Sequence, residues 1–472
     1  AVERYQAAED LGRRLGRQPK SFYQEIALNL SVALRYLGNF AHSQTQAERA
    51  LQHAQDMGND IAVAQALTSL GLALQGRGHH EAAAEKLETV MDFYDRGILN
   101  SDSGKAGILL ALGKSRLRLK RYESAKETLN TALEIARSTS NYEREAEALH
   151  LLGSLHSAQN QRKEAVDLWK QAIAIFESQG IWGAAARALC DLGNLRRLLG
   201  DLNAATIDFE TALTYLNNVD DRVTRGLVLS NAANLYTQLG DMETAEAFYK
   251  DAIKISRDLR DVHSESIRIG NMAWFYVLTG RIREAIDLFE SALNISRRLS
   301  DQLLIAIQTN NTGYAYARDS QHESAIALYK QAMAIADSMH SDRWLAIIKS
   351  NLAESLVATS HMDEALPLYE EALAVSESLQ DRENTIRTRY RLADWHLKRN
   401  QVEEARQLAE NAYEDARRMG YRKGQADAGR VLGDLYMQQD DRHNAGRYYA
   451  EAHRLYSMIH DPLADKLSAY AT

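Results

Sequence analysis

The sequence predicts an all-α solenoid of about eleven helix-turn-helix repeats, and three observations predict it. The first is a fixed period. Residues 231–249 read NAANLYTQLGDMETAEAFY, and matching stretches begin at Asn271 (NMAWFYVLTGRIREAIDLF) and Asn311 (NTGYAYARDSQHESAIALY), so the starts are evenly spaced. A repeat of this length is one supersecondary unit that buries its apolar face only by stacking on its neighbours. The second is a pair of columns that are alanine without exception, at 125, 165, 205, 245, 285, 325, 365, 405 and 445 and at 132, 172, 212, 252, 292, 332, 372, 412 and 452. Seven positions apart, the two columns share one face of a helix, about two turns from each other. The third is that 472 residues contain only three prolines, and the apolar positions recur with a helical period nearly throughout.

Other columns show how the helices meet. Gly113, Gly153, Gly193, Ala233, Ala273, Gly313, Ala353, Ala393 and Gly433 form a small-residue column in the first helix of each unit. Between the two alanines of the second helix stands a bulky residue: Trp169, Phe209, Tyr249, Phe289, Tyr329, Tyr369 or Tyr449. Small against large is what interdigitating helices require. An aromatic follows the small residue three positions later, as Tyr236, Tyr276, Tyr316 and Tyr436. Together these columns resemble the tetratricopeptide repeat over nearly the whole chain. The 40-residue unit departs from the commoner length of about 34, and the proline that usually closes the second helix is missing. The long helices and Gly-Asp turns are similar to those of kinesin light chains, Pins-type polarity adaptors and the STAND or MalT-like signalling ATPases of bacteria. The resemblance implies a right-handed superhelix, with first helices on the concave wall and second helices on the convex one.

Taken in order, residues 1–18 read as the second helix of a repeat whose first helix is missing, so the chain is expected to be cut from something longer. Residues 19–100 hold two degenerate repeats, with Ser31 and Ser43 where Gly and Ala belong. The connection after the second is longer, since the small-residue column steps from Gly71 to Gly113, two positions beyond the regular spacing. Residues 101–460 keep the 40-residue register through repeats three to eleven. Residues 461–472 are expected to add a short solvating cap helix, with Asp461 as N-cap and Pro462 in the first helical position.

Composition narrows the function. A net charge of −8 lacks the basic excess of a nucleic-acid binder. The single cysteine, Cys190, excludes internal disulfides and suits a reducing, cytoplasmic setting. No apolar run is long enough to span a membrane. GILLALGKS around Gly107, Gly113, Lys114 and Ser115 approaches a phosphate-loop motif, but it has five residues between the glycines instead of four. It also falls inside a helix, where no backbone N–H is free. His79, His80 and Glu81 sit at a turn without a spaced partner pair, so no metal site, no cofactor and no catalysis are expected.

In peptide-binding tetratricopeptide proteins, positions three and two before the small residue and one after it face the groove. Here the column two before it reads Asn231, Asn271, Asn311 and Asn351. The column three before it reads Ser230, Gly270, Asn310 and Ser350, and the column one after includes Asn194, Asn234, Trp274 and Tyr314. Asparagine amides donate and accept to any peptide backbone, and rigid aromatics add contact at low entropic cost. The same asparagines also serve to bridge adjacent repeats, and the sequence leaves both roles open. Lys114, Arg116, Arg118, Arg187, Arg196 and Arg197 make one end of the groove basic, and Glu354, Asp394 and Asp434 make the other acidic. Arg116 and Arg196 stand in the usual aromatic column, where a long side chain can also lie along the surface with its charge in water. The expected function is binding of a protein or peptide in the concave groove, as the C-terminal ligand-sensing or autoinhibitory arm of a larger signalling protein with an N-terminal ATPase or regulatory domain. The alternative is a free-standing adaptor recruiting linear motifs; an enzyme with its chemistry upstream is a third reading.

Overall fold

The computed structural model describes residues 2–15, 18–459 and 461–470. They form 24 α-helices and one 3₁₀ turn, with no strand among the described residues. The helices group into two compact units, Ala1–Val228 with Asp258–Asp261, and Leu229–Arg257 with Val262–Thr472. Within each unit helices pack on their chain neighbours, as Tyr142–Ala158 does on Arg162–Ser178 and Gln302–Arg318 on His322–Ser338. Most are 17 residues long, as in Tyr142–Ala158 and Arg162–Ser178.

The small column is where the two helices of a hairpin touch. A Cβ added at Gly153 would lie 2.6 Å from the Trp169 ring, one at Gly313 2.9 Å from Tyr329, and one at Gly433 2.5 Å from Tyr449. Each partner follows sixteen positions later, at the bulky position between the alanines. All eighteen residues of the two alanine columns are fully buried, at 0 % exposure. Any larger side chain there would force neighbouring helices apart, since packed interiors have no spare volume. The degenerate first repeat solves the same contact with hydroxyls. Ser31 Oγ donates to the Ser43 carbonyl at 2.8 Å, Ser43 Oγ donates to the Ser31 carbonyl at 2.8 Å, and Ser31 Oγ also meets Ser69 Oγ at 2.8 Å. Each of these buried hydroxyls therefore keeps a partner, which removes the cost of burying it.

The missing proline is replaced by a left-handed turn. From 120 to 440 a residue with positive φ recurs every twenty positions, with 220 as the exception. At 140 the Ser140 N–H bonds to the Arg137 carbonyl at 3.1 Å and the Asn141 N–H to the Ala136 carbonyl at 2.8 Å. This Schellman pairing satisfies the last carbonyls of the helix. Only some of these sites are glycine; Lys120, Ser140, His340 and Gln380 adopt φ between 50° and 58°, a conformation that costs L-residues about 1–2 kcal/mol. The next helix starts at once, often from a capping side chain: Asn141 accepts from the Arg144 N–H and Asp301 from the Leu304 N–H. At 220 the pattern breaks, because Leu202–Tyr215 stops after 14 residues. Asn217 there accepts from Arg225 instead.

Two expectations change in the structure. Arg196 does not lie along the surface. It holds the buried Asp208 through Nη1, at 2.6 and 2.7 Å from its two oxygens. Burial still raises the Asp208 carboxyl to about 6, with Arg196 opposing. An acid whose folded pKa is raised destabilises the fold when ionised, so this group's contribution improves as pH falls from 7 through 6. The C-terminal tail docks rather than merely solvates. Pro462 takes the cap position of the short helix Leu463–Lys466, Asp461 accepts from the Leu463 N–H and holds Lys423 at 2.8 Å, and Tyr470 packs on Tyr449 with centroids 4.5 Å apart.

The left-handed turns generate a stability prediction. His340→Gly removes the Cβ penalty at φ 50° and should raise stability by about 1 kcal/mol, read as a higher urea midpoint with unchanged slope. A lower midpoint would show that the imidazole has a stabilising role there.

Candidate binding site

Ten of the eleven predicted contact residues lie in the second unit, on the first helices of successive repeats; Asn194 lies in the first unit, on Trp182–Leu198. Asn271, Trp274 and Gly270 sit on Val262–Leu278, Asn310, Asn311 and Tyr314 on Gln302–Arg318, and Asn351 on Asp342–Ala358. Because the repeat length is constant, two helices of nearly equal length return each column to the same place on the next first helix.

The asparagines are engaged with one another from repeat to repeat. Asn271 Nδ2 donates to Ser230 Oγ at 3.3 Å, and Asn351 Nδ2 donates to Asn310 Oδ1 at 2.9 Å. Asn310 in turn donates to Asn311 Oδ1 at 3.3 Å. Asn310, Asn311 and Asn351 are buried. Asn234 works within its own repeat, accepting from the Tyr249 hydroxyl at 2.8 Å and donating to the Ser230 carbonyl at 3.1 Å. Gly270 is buried because Gln308 of the next first helix lies against it; a Cβ there would come within 2.9 Å of the Gln308 amide. Asn194 accepts from Arg197 at 3.0 Å. Asn194, Asn231, Asn234 and Asn271 remain half-buried, as do Trp274 and Tyr314.

Those two aromatics form the pair that stays reachable. Their ring centroids are 4.8 Å apart at 43°, and Trp274 rests edge-on against the buried Phe289. Beyond Tyr314 a cavity of about 390 Å³ opens, lined also by Glu354, Tyr390, Arg391, Asp394 and Arg430. The sequence pattern assigns Arg391 no role, although it follows the asparagine ladder in the same column. Arg391 is buried and extends the ladder, donating to Asn351 Oδ1 at 2.9 Å and to Ser350 Oγ at 3.1 Å while Nη2 holds Glu354 at 2.7 Å.

That arginine also corrects the expected acidic end of the groove. Glu354 pairs with Arg391, Asp394 with Lys398 at 2.8 Å, and Asp434 with Arg430 at 2.7 Å. Each carboxylate is matched by a neighbouring cation, so the surface there is mixed rather than acidic. Burial raises the Asp434 carboxyl above its ordinary value, with Arg430 opposing.

The chemistry weighed from sequence also finds its place. Gly113 and Lys114 lie in the middle of Asp102–Arg118, and Gly113 packs on Leu129, which a Cβ would approach to 2.5 Å. Cys190 is buried in Trp182–Leu198. Among the described residues no group of three or more His, Cys, Asp or Glu side chains could hold a metal ion. No helix of those residues is long and apolar enough to cross a membrane.

The comparison with known families agrees with the repeat columns. A model described as the MalT-like TPR region matches residues 114–270, and a tetratricopeptide-repeat model matches 266–338 and 344–418. The chain is a tetratricopeptide-repeat protein. Among solved structures it is similar to a Rap protein complexed with competence and sporulation factor, with a TM-score of 0.56, 14% identity, and coverage of 86% of this chain and 99% of that one. It is also similar to aspartyl phosphate phosphatase F from Bacillus subtilis, with a TM-score of 0.51, 16% identity, and coverage of 77% and 96%. At these identities the likeness shows the shared fold. No curated protein sequence matches the chain.

The ladder generates its own prediction. Asn351→Ala leaves Asn310 and Arg391 each short of a buried partner, and should cost about 1–3 kcal/mol in urea unfolding. A loss within the error of a surface substitution would show that the amide chain contributes nothing to holding repeats together.

Proposed function

We propose that this tetratricopeptide array binds a protein or peptide segment along its first-helix face, between Trp274 and Arg391, and that it does no catalysis itself. The observation that carries the reading is the half-buried Trp274–Tyr314 pair beside an open cavity. Adjacent rigid aromatics with one face held by Phe289 suit an apolar side chain of an incoming segment. The internal engagement of the asparagines refines the picture. Asn310, Asn311 and Asn351 set the spacing of the first helices, and the half-buried Asn231, Asn234 and Asn271 border the path a ligand would take. Asn194 lies in the other unit.

The MalT-like match over 114–270 supports the finer reading that the array is the sensing or autoinhibitory region of a larger cytoplasmic signalling protein with an ATPase or regulatory domain ahead of it. In that reading, ligand on the first-helix face shifts the array between two states with different affinity for the preceding domain. The shift can be no larger than the differential affinity.

Two measurements test this. Peptides selected from a displayed random library against the chain should bind the wild type and lose about tenfold or more in affinity on Trp274→Ala with Tyr314→Ala. Selected peptides that bind the double variant equally well would move the site elsewhere. The native protein purified from its source should carry, ahead of Ala1, a segment that binds ATP. A native chain beginning at Ala1 would remove the sensor reading and leave the binding one standing.

A further inference from the structure

The segment 461–470 reaches the cavity beside Tyr314. The Asp461 N–H donates to the Tyr456 carbonyl at 2.9 Å, the pairing that Asn141 makes with Ala136, so the chain turns here as it does ahead of the first helix Tyr142–Ala158. That helix runs for 17 residues. This one stops after Leu463–Lys466, and the 3₁₀ turn Ser468–Tyr470 follows. At its end Lys466 lines the same cavity of about 390 Å³ that Tyr314, Glu354, Arg391 and Arg430 line from four successive first helices. All of these residues belong to the second unit. With the segment in place the cavity stands near the small end of the roughly 300–1,000 Å³ of ligand pockets.

The segment is held at few points. Asp461 is buried and pairs with Lys423 Nζ at 2.8 Å, and Lys423 also meets Asp427 at 3.2 Å. Leu467 is buried, and the half-buried Tyr470 lies against Tyr449. Pro462, Asp465, Lys466, Ser468 and Ala469 are exposed. A helix of one turn has no stability of its own, and an element with few buried apolar contacts opens at a small part of the cost of global unfolding. Charge adds nothing to the hold on the cavity side. Arg391, Lys398 and Arg430 already hold Glu354, Asp394 and Asp434. Lys466 and Arg318, both exposed, have no carboxylate within ion-pair distance among the described residues.

We propose that segment 461–470 is a gate on the cavity beside Tyr314: docked, it narrows the cavity, and a ligand that fills the cavity displaces it. Asp461 and Tyr470 are the latches, one through Lys423 and the other through Tyr449. Ligand and docked segment then exclude one another, so whatever weakens docking strengthens ligand binding, by no more than the factor by which docking is weakened. The gate rests on the polypeptide-binding reading above and gives it a physical two-state element, a segment that passes between ordered and released.

The test uses the full chain, a fluorescein-labelled library-selected peptide followed by anisotropy, and hydrogen exchange of residues 461–470 followed by mass spectrometry. Asp461→Asn with Tyr470→Ala removes both latches, while Asn retains the ability to cap the helix. This variant, without peptide, should exchange the segment about tenfold faster, and it should bind the peptide about threefold or more tighter. Peptide added to the wild type should speed exchange of the segment. Asp465→Asn, which changes an exposed charge within the segment, should shift affinity less than about twofold. The proposal is overturned if the double variant binds the peptide no tighter than wild type, or if its segment exchanges no faster. It is also overturned if peptide slows exchange of the segment, which would make 461–470 a fixed wall that the ligand rests on. Peptides that need Trp274 and Tyr314 but leave the segment unmoved would remove the gate alone. Peptides indifferent to Trp274→Ala with Tyr314→Ala would remove the binding reading and the gate with it.

Discussion

The structure depends on one close approach, that of a glycine or alanine in the first helix of a hairpin to a large side chain sixteen positions on. At Gly153 the Trp169 ring occupies the space a Cβ would take. That contact sets how near the two helices lie, and the fully buried alanine columns set how near the second helix lies to its neighbours. Each contact is short-range, so the array is held by a sum of local interfaces rather than by one central core. This is why a degenerate repeat can persist: Ser31 and Ser43 replace apolar contact with hydrogen bonds, and the adjoining repeats are affected only through their shared interface.

The turns impose the second constraint. A short connection between helices of fixed length needs one residue in the left-handed region, and the chain accepts lysine, serine, histidine and glutamine there as well as glycine. The Schellman hydrogen bonds and the following N-caps offset that backbone cost. Their result is functional as well as structural, because where the connection recurs unchanged it keeps one first helix in register with the next. A column of residues can then act as a row, whether it bridges repeats or faces a ligand.

The electrostatics of that row emerge from pairing. Arg391 joins Asn351, Ser350 and Glu354, so a carboxylate that looked available to a basic ligand is already satisfied. In the first unit Arg116 and Arg196 are held by carboxylates, and Arg187 and Arg197 donate to neutral side chains. Counting charges by column therefore misjudges both places, since a charge already held by a neighbour in the fold offers less to a partner.

The period, the helix pairing and the crossing column were legible in the sequence, because each depends on residue size or spacing that recurs with every repeat and packs only on near neighbours. The unbroken alanine columns could hardly be anything but buried. The turn at 220 was not legible, since the register runs through it unchanged while Asn217 and its neighbours end the helix early. The roles of Asn310, Asn311 and Asn351 were equally open from sequence, because a carboxamide bonds as well to another repeat as to a peptide. The same was true of Arg116 and Arg196 against Arg187 and Arg197. Those distinctions rest on which side chains from different repeats come within hydrogen-bonding distance of one another. That is decided by the angle and spacing of stacked helices, which a repeat pattern implies only as an average and the tertiary structure specifies residue by residue.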